Sequence, residues 1–167
     1  EEATPFLREQ WAEATRHGSA LLLGLLSYDL AAGTIRNGLL VLDTAGKPQW
    51  YFKRHLVPFG EYFPVPAKVR EWMRLSSLAY VDLTPGAATQ PVPTAQGLPL
   101  AATICYEDAY GSDQLAPLAT ARLLVNVTNN AWYGDSTAAH QHLQIARMRA
   151  LEAGRYLVRA TSDGISV

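Results

Sequence analysis

The sequence has 167 residues but only one cysteine, few charged residues and no long apolar run. One cysteine cannot form an internal disulfide, so a disulfide-stapled scaffold is excluded. The apolar stretch Ala20–Leu26 is far shorter than the roughly 20 residues that a membrane-spanning helix needs. The net charge of −1 offers no strongly basic face, so we expect no nucleic-acid partner.

The two ends of the chain read as cut ends. No signal peptide is evident, and the chain opens on Glu1 and Glu2 rather than on Met. The closing residues, ATSDGISV, read as the middle of a strand and a turn. We therefore interpret the chain as a single domain that is part of a longer polypeptide.

Segments with helical and strand periodicity alternate along the chain. Helical spacing predicts helices over 5–18 and 136–154, and a short helix over 67–75. Runs rich in Leu and Val predict strands over 19–29, 37–43, 49–54, 99–106, 121–129 and 155–164, the first of them buried and the next two forming a hairpin. The prolines predict irregular structure over 55–66, and loops are expected over 76–98. This alternation indicates an α/β layered domain.

The single cysteine, Cys105, is the first candidate for chemistry. Cysteine is often buried for packing alone, so a structural role stays open. However, Cys105 follows an apolar strand and precedes Tyr106 and Glu107, at the strand end where open α/β sheets place ligand sites. A helix start there would favour the thiolate, and the next backbone N–H could stabilise an oxyanion.

No histidine is a convincing base for this thiol. His140 and His142 lie two residues apart on a predicted helix and so point to different faces, which also argues against a metal site. We interpret them as one surface and one half-buried histidine. In YFKRHLVPFGEYFP, Lys53 and Glu61 could supply an oxyanion stabiliser and a base, although surface charges are the simpler interpretation.

Three blocks of sequence carry a family resemblance. YFKRHLVPFGEYFP, ICYED and NNAWYGDSTAAHQHLQIARMRALEAGRYLVRATSDG together are similar to the nitrilase-like (carbon–nitrogen hydrolase) domain of bacterial apolipoprotein N-acyltransferases. The similarity covers nearly the whole chain and is weakest over 84–98. It implies a nitrilase-like α-β-β-α sandwich over 1–167, incomplete at both ends, with no cofactor or metal. The family's transmembrane helices are absent from this chain.

The resemblance also implies site residues. The family's catalytic triad falls on Cys105, Lys53 and Glu1, with Glu2 as the alternative to Glu1. Supporting roles fall on three further residues: Glu61, Tyr106 and Glu107.

The activity implied by the resemblance is acyl transfer in lipoprotein maturation. A fatty acyl chain would move from a membrane phospholipid, through a cysteine thioester, to the N-terminal amine of a diacylglyceryl-cysteine apolipoprotein. The domain would lie on the periplasmic face of the bacterial inner membrane, attached through the missing transmembrane region. Two alternatives stay open: a soluble nitrilase-type amidase, and a non-catalytic domain in which the cysteine is structural.

Some positions depart from the family or have two interpretations. Asn130 stands where the family usually has Asp, and Tyr133 where it usually has Phe. Trp132 and Tyr133 could line an acyl groove or pack in the core. Arg149 and Glu152 are spaced for an ion pair on the helix surface.

Overall fold

The computed structural model describes residues 5–66, 68, 69, 72 and 82–167. Of the helix predicted over 67–75, residues 68, 69 and 72 are described and are helical. The rest of that segment lies outside the described residues, and so does Glu1. The helices and strands in chain order are α1 (Pro5–Arg16), β1 (Leu21–Asp29), β2 (Thr34–Leu42), β3 (Gln49–Phe52), β4 (Thr94–Ala95), β5 (Leu98–Ile104), a 3₁₀ helix (Cys105–Ala109), α2 (Gly111–Leu118), β6 (Leu123–Thr128), a 3₁₀ helix (Ala131–Tyr133), α3 (Ala138–Ala153) and β7 (Tyr156–Thr161).

The first sheet is antiparallel, in the order β1-β2-β3. At the β1–β2 turn, the Asp29 carboxylate accepts hydrogen bonds from the backbone N–H groups of Ala31 and Ala32. The hairpin predicted for the following two strands is confirmed as β2 and β3. The prediction that the first strand is buried is wrong: none of the residues of β1 is fully buried, because the strand lies at the edge of its sheet.

The second sheet has the order β4-β5-β6-β7, and its last three strands run parallel. Parallel neighbours need crossover connections, and these contain α2 and α3. Each of the two helices begins after the carboxyl end of a strand, so the loops that carry candidate chemistry meet at one edge of this sheet. Ile104, the last residue of β5, pairs with Val127 there.

The two sheets pack face to face and form the main core. Leu39, Val41 and Tyr51 of the first sheet meet alternate residues of the second: Leu100, Ala102, Ile104, Val125 and Val127. Gly24 allows the close approach, since a Cβ there would lie 3.1 Å from Val127 Cγ2.

The helices cover the outer faces. Ala101 and Leu124, on the other side of the second sheet, pack with helix residues such as Ala150. Helix α1 packs against β1, and Trp11 Nε1 donates to the Asp43 carbonyl at 3.1 Å. These layers give the predicted α-β-β-α order. No helix in the described part of the chain is long and apolar enough to cross a membrane.

The end of β3 is held tightly by backbone contacts. Lys53 N donates to the Asn37 carbonyl at 2.8 Å, and the Lys53 carbonyl accepts from Gly86 N at 2.7 Å. A Cβ on Gly86 would lie 2.3 Å from the Phe52 carbonyl oxygen. Only glycine therefore fits at position 86 without moving the strand end that carries Lys53.

We expect Gly86→Ala to lower the free energy of unfolding by about 1–3 kcal/mol, because the added methyl overpacks a rigid backbone contact. Urea denaturation measures the change. Gly60→Ala is the matched control, since its Cβ would lie at an ordinary 3.4 Å from Val57 Cγ1. Equal unfolding midpoints for the two variants would contradict this expectation.

Candidate active site

Cys105 begins the tight turn that follows β5. Its backbone has φ of +56°, a left-handed conformation that is strained by about 1–3 kcal/mol for a residue with a side chain. The Cys105 carbonyl accepts hydrogen bonds from Asn126 Nδ2 at 3.0 Å and His142 Nε2 at 3.2 Å. The thiol-bearing residue is half-buried at the edge of the core. Contacts with β6 and α3 therefore stabilise Cys105 in a backbone conformation that is unfavourable for an isolated peptide.

Lys53 and Glu61 form a buried ion pair. Lys53 Nζ lies 2.8 and 2.7 Å from the two Glu61 carboxylate oxygens, with the side chains 0% and 16% exposed respectively. Glu61 also accepts from Asn37 Nδ2 at 3.1 Å and from Val57 N at 2.8 Å. The interpretation of Lys53 and Glu61 as surface charges is thus wrong. The loop through Pro58 folds back after β3 and returns Glu61 to the lysine.

Tyr106 joins the cysteine turn to the lysine loop. Its ring lies under the ammonium, with the centroid 5.2 Å from Lys53 Nζ, a distance at which a cation is attracted to an aromatic face. Its hydroxyl donates to the Leu56 carbonyl at 3.0 Å. Burial, with smaller effects from Tyr110 and then Glu61, raises the pKa of Tyr106, so it stays a neutral hydrogen-bond donor.

Glu107 is an almost fully buried carboxylate that accepts four hydrogen bonds. One oxygen accepts from the backbone N–H groups of Arg54 at 2.7 Å and His55 at 3.1 Å. The other accepts from Ile104 N at 2.8 Å and the Tyr51 hydroxyl at 3.1 Å. Burial and then the Glu107 charge raise the pKa of Tyr51. This one buried carboxylate thus ties the chain after β3 to the chain before the cysteine.

A second buried network lies behind Cys105, and sequence reasoning missed most of it. Asp108 accepts from His142 Nε2 and from Arg159 Nη1, both at 3.1 Å. Arg159 Nη1 also donates to Asn126 Oδ1 at 2.9 Å. Burial lowers the pKa of Arg159, and the Asp108 carboxylate opposes this shift. The sequence did contain one sign of this network: Arg159 lies inside the apolar strand LVRAT. A charged side chain in a buried strand needs a buried partner, so a buried carboxylate could have been predicted.

The two histidines of α3 lie on different faces of the helix, as their spacing predicts. His140 is exposed, whereas His142 is 7% exposed and more deeply buried than the predicted half-buried histidine. His55, in the irregular segment after β3, hydrogen-bonds Asp113 and stacks on the Tyr110 ring. The hydrogen bond from His55 is the main cause of the lowered pKa of Asp113.

Two aromatic side chains lie at the surface beside the site. Trp132 is 80% exposed and Tyr133 is 48% exposed, so the interpretation that they pack in the core is wrong. Burial, and then the nearby charge of Cys105, raise the pKa of Tyr133. Arg149 and Glu152 form the surface ion pair that their spacing predicted, at 2.8 Å.

The described structure thus gathers four of the predicted site residues around the turn that carries Cys105: Lys53, Glu61, Tyr106 and Glu107. Cys105 is half-buried, and the ring of the next residue, Tyr106, contacts a buried ammonium. A thiol and a cation presented by one turn suit nucleophilic attack on a carbonyl, in which the cation holds the developing negative charge. The predicted base, Glu1, lies outside the described residues, and its role stays a prediction.

Comparison with known proteins identifies the family and the fold. The carbon–nitrogen hydrolase family model matches residues 1–166, so the chain belongs to the carbon–nitrogen hydrolase family. Two solved structures have a TM-score of 0.61: a cysteine-to-alanine mutant of an amidase from Nesterenkonia AN1, and a CN-hydrolase superfamily protein from Xanthomonas campestris. They are 22% and 19% identical, and the match covers 95% and 96% of this chain and 53% and 54% of theirs. This likeness confirms the fold.

Curated relatives point to a particular branch of the family. The apolipoprotein N-acyltransferase of Methylococcus capsulatus is 46% identical over 98% of this chain, and that of Chromobacterium violaceum is 37% identical over 96%. The one from Coxiella burnetii is 38% identical over 99%. The resemblance inferred from the sequence blocks is therefore confirmed. The matched region is 32%, 31% and 34% of those three relatives, so the chain spans about a third of their length.

We expect Glu107→Gln to lower the free energy of unfolding by about 3 kcal/mol, because hydrogen bonds to a buried charge are among the strongest. Both carboxylate oxygens accept backbone N–H groups, so either orientation of the glutamine amide would place its NH2 group against at least one backbone donor. Urea denaturation measures the loss.

Glu152→Gln is the control for this measurement, since Glu152 is 53% exposed and pairs with Arg149 across the helix surface. Such pairs contribute about 0–1 kcal/mol. If the two variants were equally stable, Glu107 would not connect the two segments as described.

Proposed function

We propose that this domain catalyses the N-acylation of apolipoproteins, with Cys105 as the nucleophile. The observation that carries the proposal is the packing of the buried Lys53–Glu61 pair against Tyr106, the residue that follows Cys105. The acceptor and donor come from the names of the relatives and from the family resemblance. They are a diacylglyceryl-cysteine apolipoprotein and a membrane phospholipid, at the periplasmic face of the bacterial inner membrane.

The first step would transfer the acyl chain to the enzyme. Glu1 takes the proton of the Cys105 thiol, and the thiolate attacks the ester carbonyl of the phospholipid. Lys53 Nζ and the backbone N–H of Tyr106 stabilise the oxyanion of the tetrahedral intermediate. The carbon–oxygen bond then breaks, and the leaving alkoxide takes the proton back from Glu1. The products are a lysophospholipid and an acyl thioester on Cys105.

The second step would pass the acyl chain to the lipoprotein. The free α-amine of the apolipoprotein attacks the thioester carbonyl, and Glu1 takes a proton from that nitrogen. The same two donors stabilise the second oxyanion. The carbon–sulfur bond breaks, the thiolate regains a proton from Glu1, and the new amide leaves. Atoms and charge balance without a cofactor.

The supporting residues would act through Lys53 and the turn. Glu61 holds the ammonium between its two oxygens, and these charge-assisted hydrogen bonds prevent the lysine from rotating away. Tyr106 contributes its backbone N–H to the oxyanion and its ring to the lysine. Glu107 keeps the two segments in register through four hydrogen bonds.

Incubation of the full natural protein with phospholipid is expected to give a fatty-acyl adduct on Cys105. Intact-protein mass spectrometry would detect the added mass, and hydroxylamine would remove it because thioesters are cleaved by this nucleophile. Addition of a diacylglyceryl lipopeptide should discharge the adduct and yield an N-acylated peptide.

Cys105→Ala is the control for this experiment and should give no adduct. An adduct of equal yield in that variant would exclude Cys105 as the nucleophile. A protein that hydrolyses small amides but takes no acyl chain from phospholipid would instead support the soluble amidase alternative.

Lys53→Met is expected to slow formation of the acyl enzyme by about 10²–10³-fold, the effect of removing one oxyanion donor. Lys47→Met, at an exposed position, is the control and should react as the wild type. Rapid-quench mass spectrometry measures the rates.

The single variant leaves the Glu61 carboxylate partly buried without its cation, a change that destabilises folds by about 3–5 kcal/mol. The double variant Lys53→Met/Glu61→Gln removes that charge, and circular dichroism would report whether it folds. A folded double variant that acylates within threefold of wild type would exclude Lys53 from the mechanism.

A further inference from the structure

The peptide group between Cys105 and Tyr106 is held from its carbonyl side by two side chains. Asn126 Nδ2 donates to the Cys105 carbonyl at 3.0 Å, and His142 Nε2 does so at 3.2 Å. Both donors are buried. Neither residue has a role in the mechanism proposed above, although both contact the nucleophilic residue itself.

The proton on His142 is located by its neighbours. Nε2 lies between two acceptors, the Cys105 carbonyl and Asp108 Oδ1 at 3.1 Å, so it must carry a hydrogen. Nδ1 lies 3.1 Å from the amide of Asn130. A half-turn of that amide presents its nitrogen, which has no other partner in the described part of the chain, as a donor to Nδ1. Asp108 Oδ2 also accepts a hydrogen bond from the buried Arg159 Nη1, at 3.1 Å. The carboxylate thus selects the ring nitrogen that donates, as partners of histidine commonly do.

The direction of these hydrogen bonds determines what they do. In a trans peptide group the carbonyl and the N–H point in opposite directions within one plane. Donors that fix the Cys105 carbonyl therefore also fix the Tyr106 N–H, which lies in the first turn of a 3₁₀ helix and has no acceptor within that helix. Hydrogen bonds to a carbonyl also polarise the N–H of the same peptide and strengthen it as a donor.

We infer that His142 is a positioning residue that orients and polarises the Tyr106 N–H for the oxyanion. Asp108 sets its tautomer, and Asn126 is its partner on the same carbonyl. The two donors also support the strained left-handed backbone of Cys105. This inference rests on the proposed function only in that Cys105 is acylated; it does not depend on which acyl donor or acceptor is used.

Two reagents separate this role from a purely structural one. p-Nitrophenyl butyrate acylates a thiol through an oxyanion, and the release of p-nitrophenolate gives the rate. Iodoacetamide alkylates the same thiol without forming an oxyanion. The ratio of the two rates isolates oxyanion stabilisation, because misplacement or burial of the thiol would slow both reactions together.

In the full natural protein, His142→Leu is expected to lower this ratio by about tenfold, less than the 10²–10³ lost when an oxyanion donor is deleted. His142→Gln keeps an N–H donor and is expected to recover most of the ratio. His140→Leu and His140→Gln, on the exposed face of the same helix, are the matched controls and should leave the ratio unchanged.

An unchanged ratio in a folded His142→Leu variant would overturn the inference, as would a His142→Gln variant as impaired as His142→Leu. If circular dichroism shows that His142→Leu does not fold, Asp108→Asn decides. The single amide oxygen of asparagine pairs with the Arg159 cation, which turns the NH2 group toward His142 Nε2 and removes the acceptor there. That variant should lower the ratio, and an unchanged ratio would again overturn the inference. A wild-type protein that reacts with the ester but not with phospholipid would contradict the proposed function and leave this test valid.

Discussion

The carboxylate of Glu107 is the interaction on which the rest of the site depends. It is almost fully buried and accepts three backbone N–H groups and one phenol. Two of those N–H groups belong to the chain just after Lys53, and one belongs to the residue before Cys105. A buried charge is stable only when such donors surround it. The two segments can therefore move apart only by leaving that charge unpaired.

Around this link, the site is built in two buried polar layers. On one side of the cysteine turn, Glu61 holds the Lys53 ammonium against the Tyr106 ring. On the other side, His142 and Asn126 hold the Cys105 carbonyl. Each layer is desolvated, and electrostatic interactions are stronger in such surroundings than in water. The backbone strain at Cys105 is thus maintained by side chains from other strands and helices.

Much of the layout could be predicted from local sequence. Periodicity identified the longer strands and the helix that ends at Gly154, because burial of one face imposes a repeat of two or of 3.6 residues. It missed the two-residue strand β4, which lies in the segment predicted as loops. The family resemblance placed Cys105, Lys53, Glu61, Tyr106 and Glu107, and the structure brings these side chains together. Local reasoning failed for the edge strand β1, whose apolar residues are typical of a buried strand although it has one neighbour in its sheet.

The sequence by itself determined the order of the helices and strands and the identity of the nucleophile candidate, because both depend on residues close together in the chain. Only the tertiary structure decided that Lys53 and Glu61 are buried partners rather than surface charges. Only the tertiary structure, again, showed that Asp108, His142 and Arg159 form one hydrogen-bond network, although they lie far apart in the chain. Such pairing depends on which side chains lose contact with water together, and that is set by the packing of distant segments, which no local pattern records.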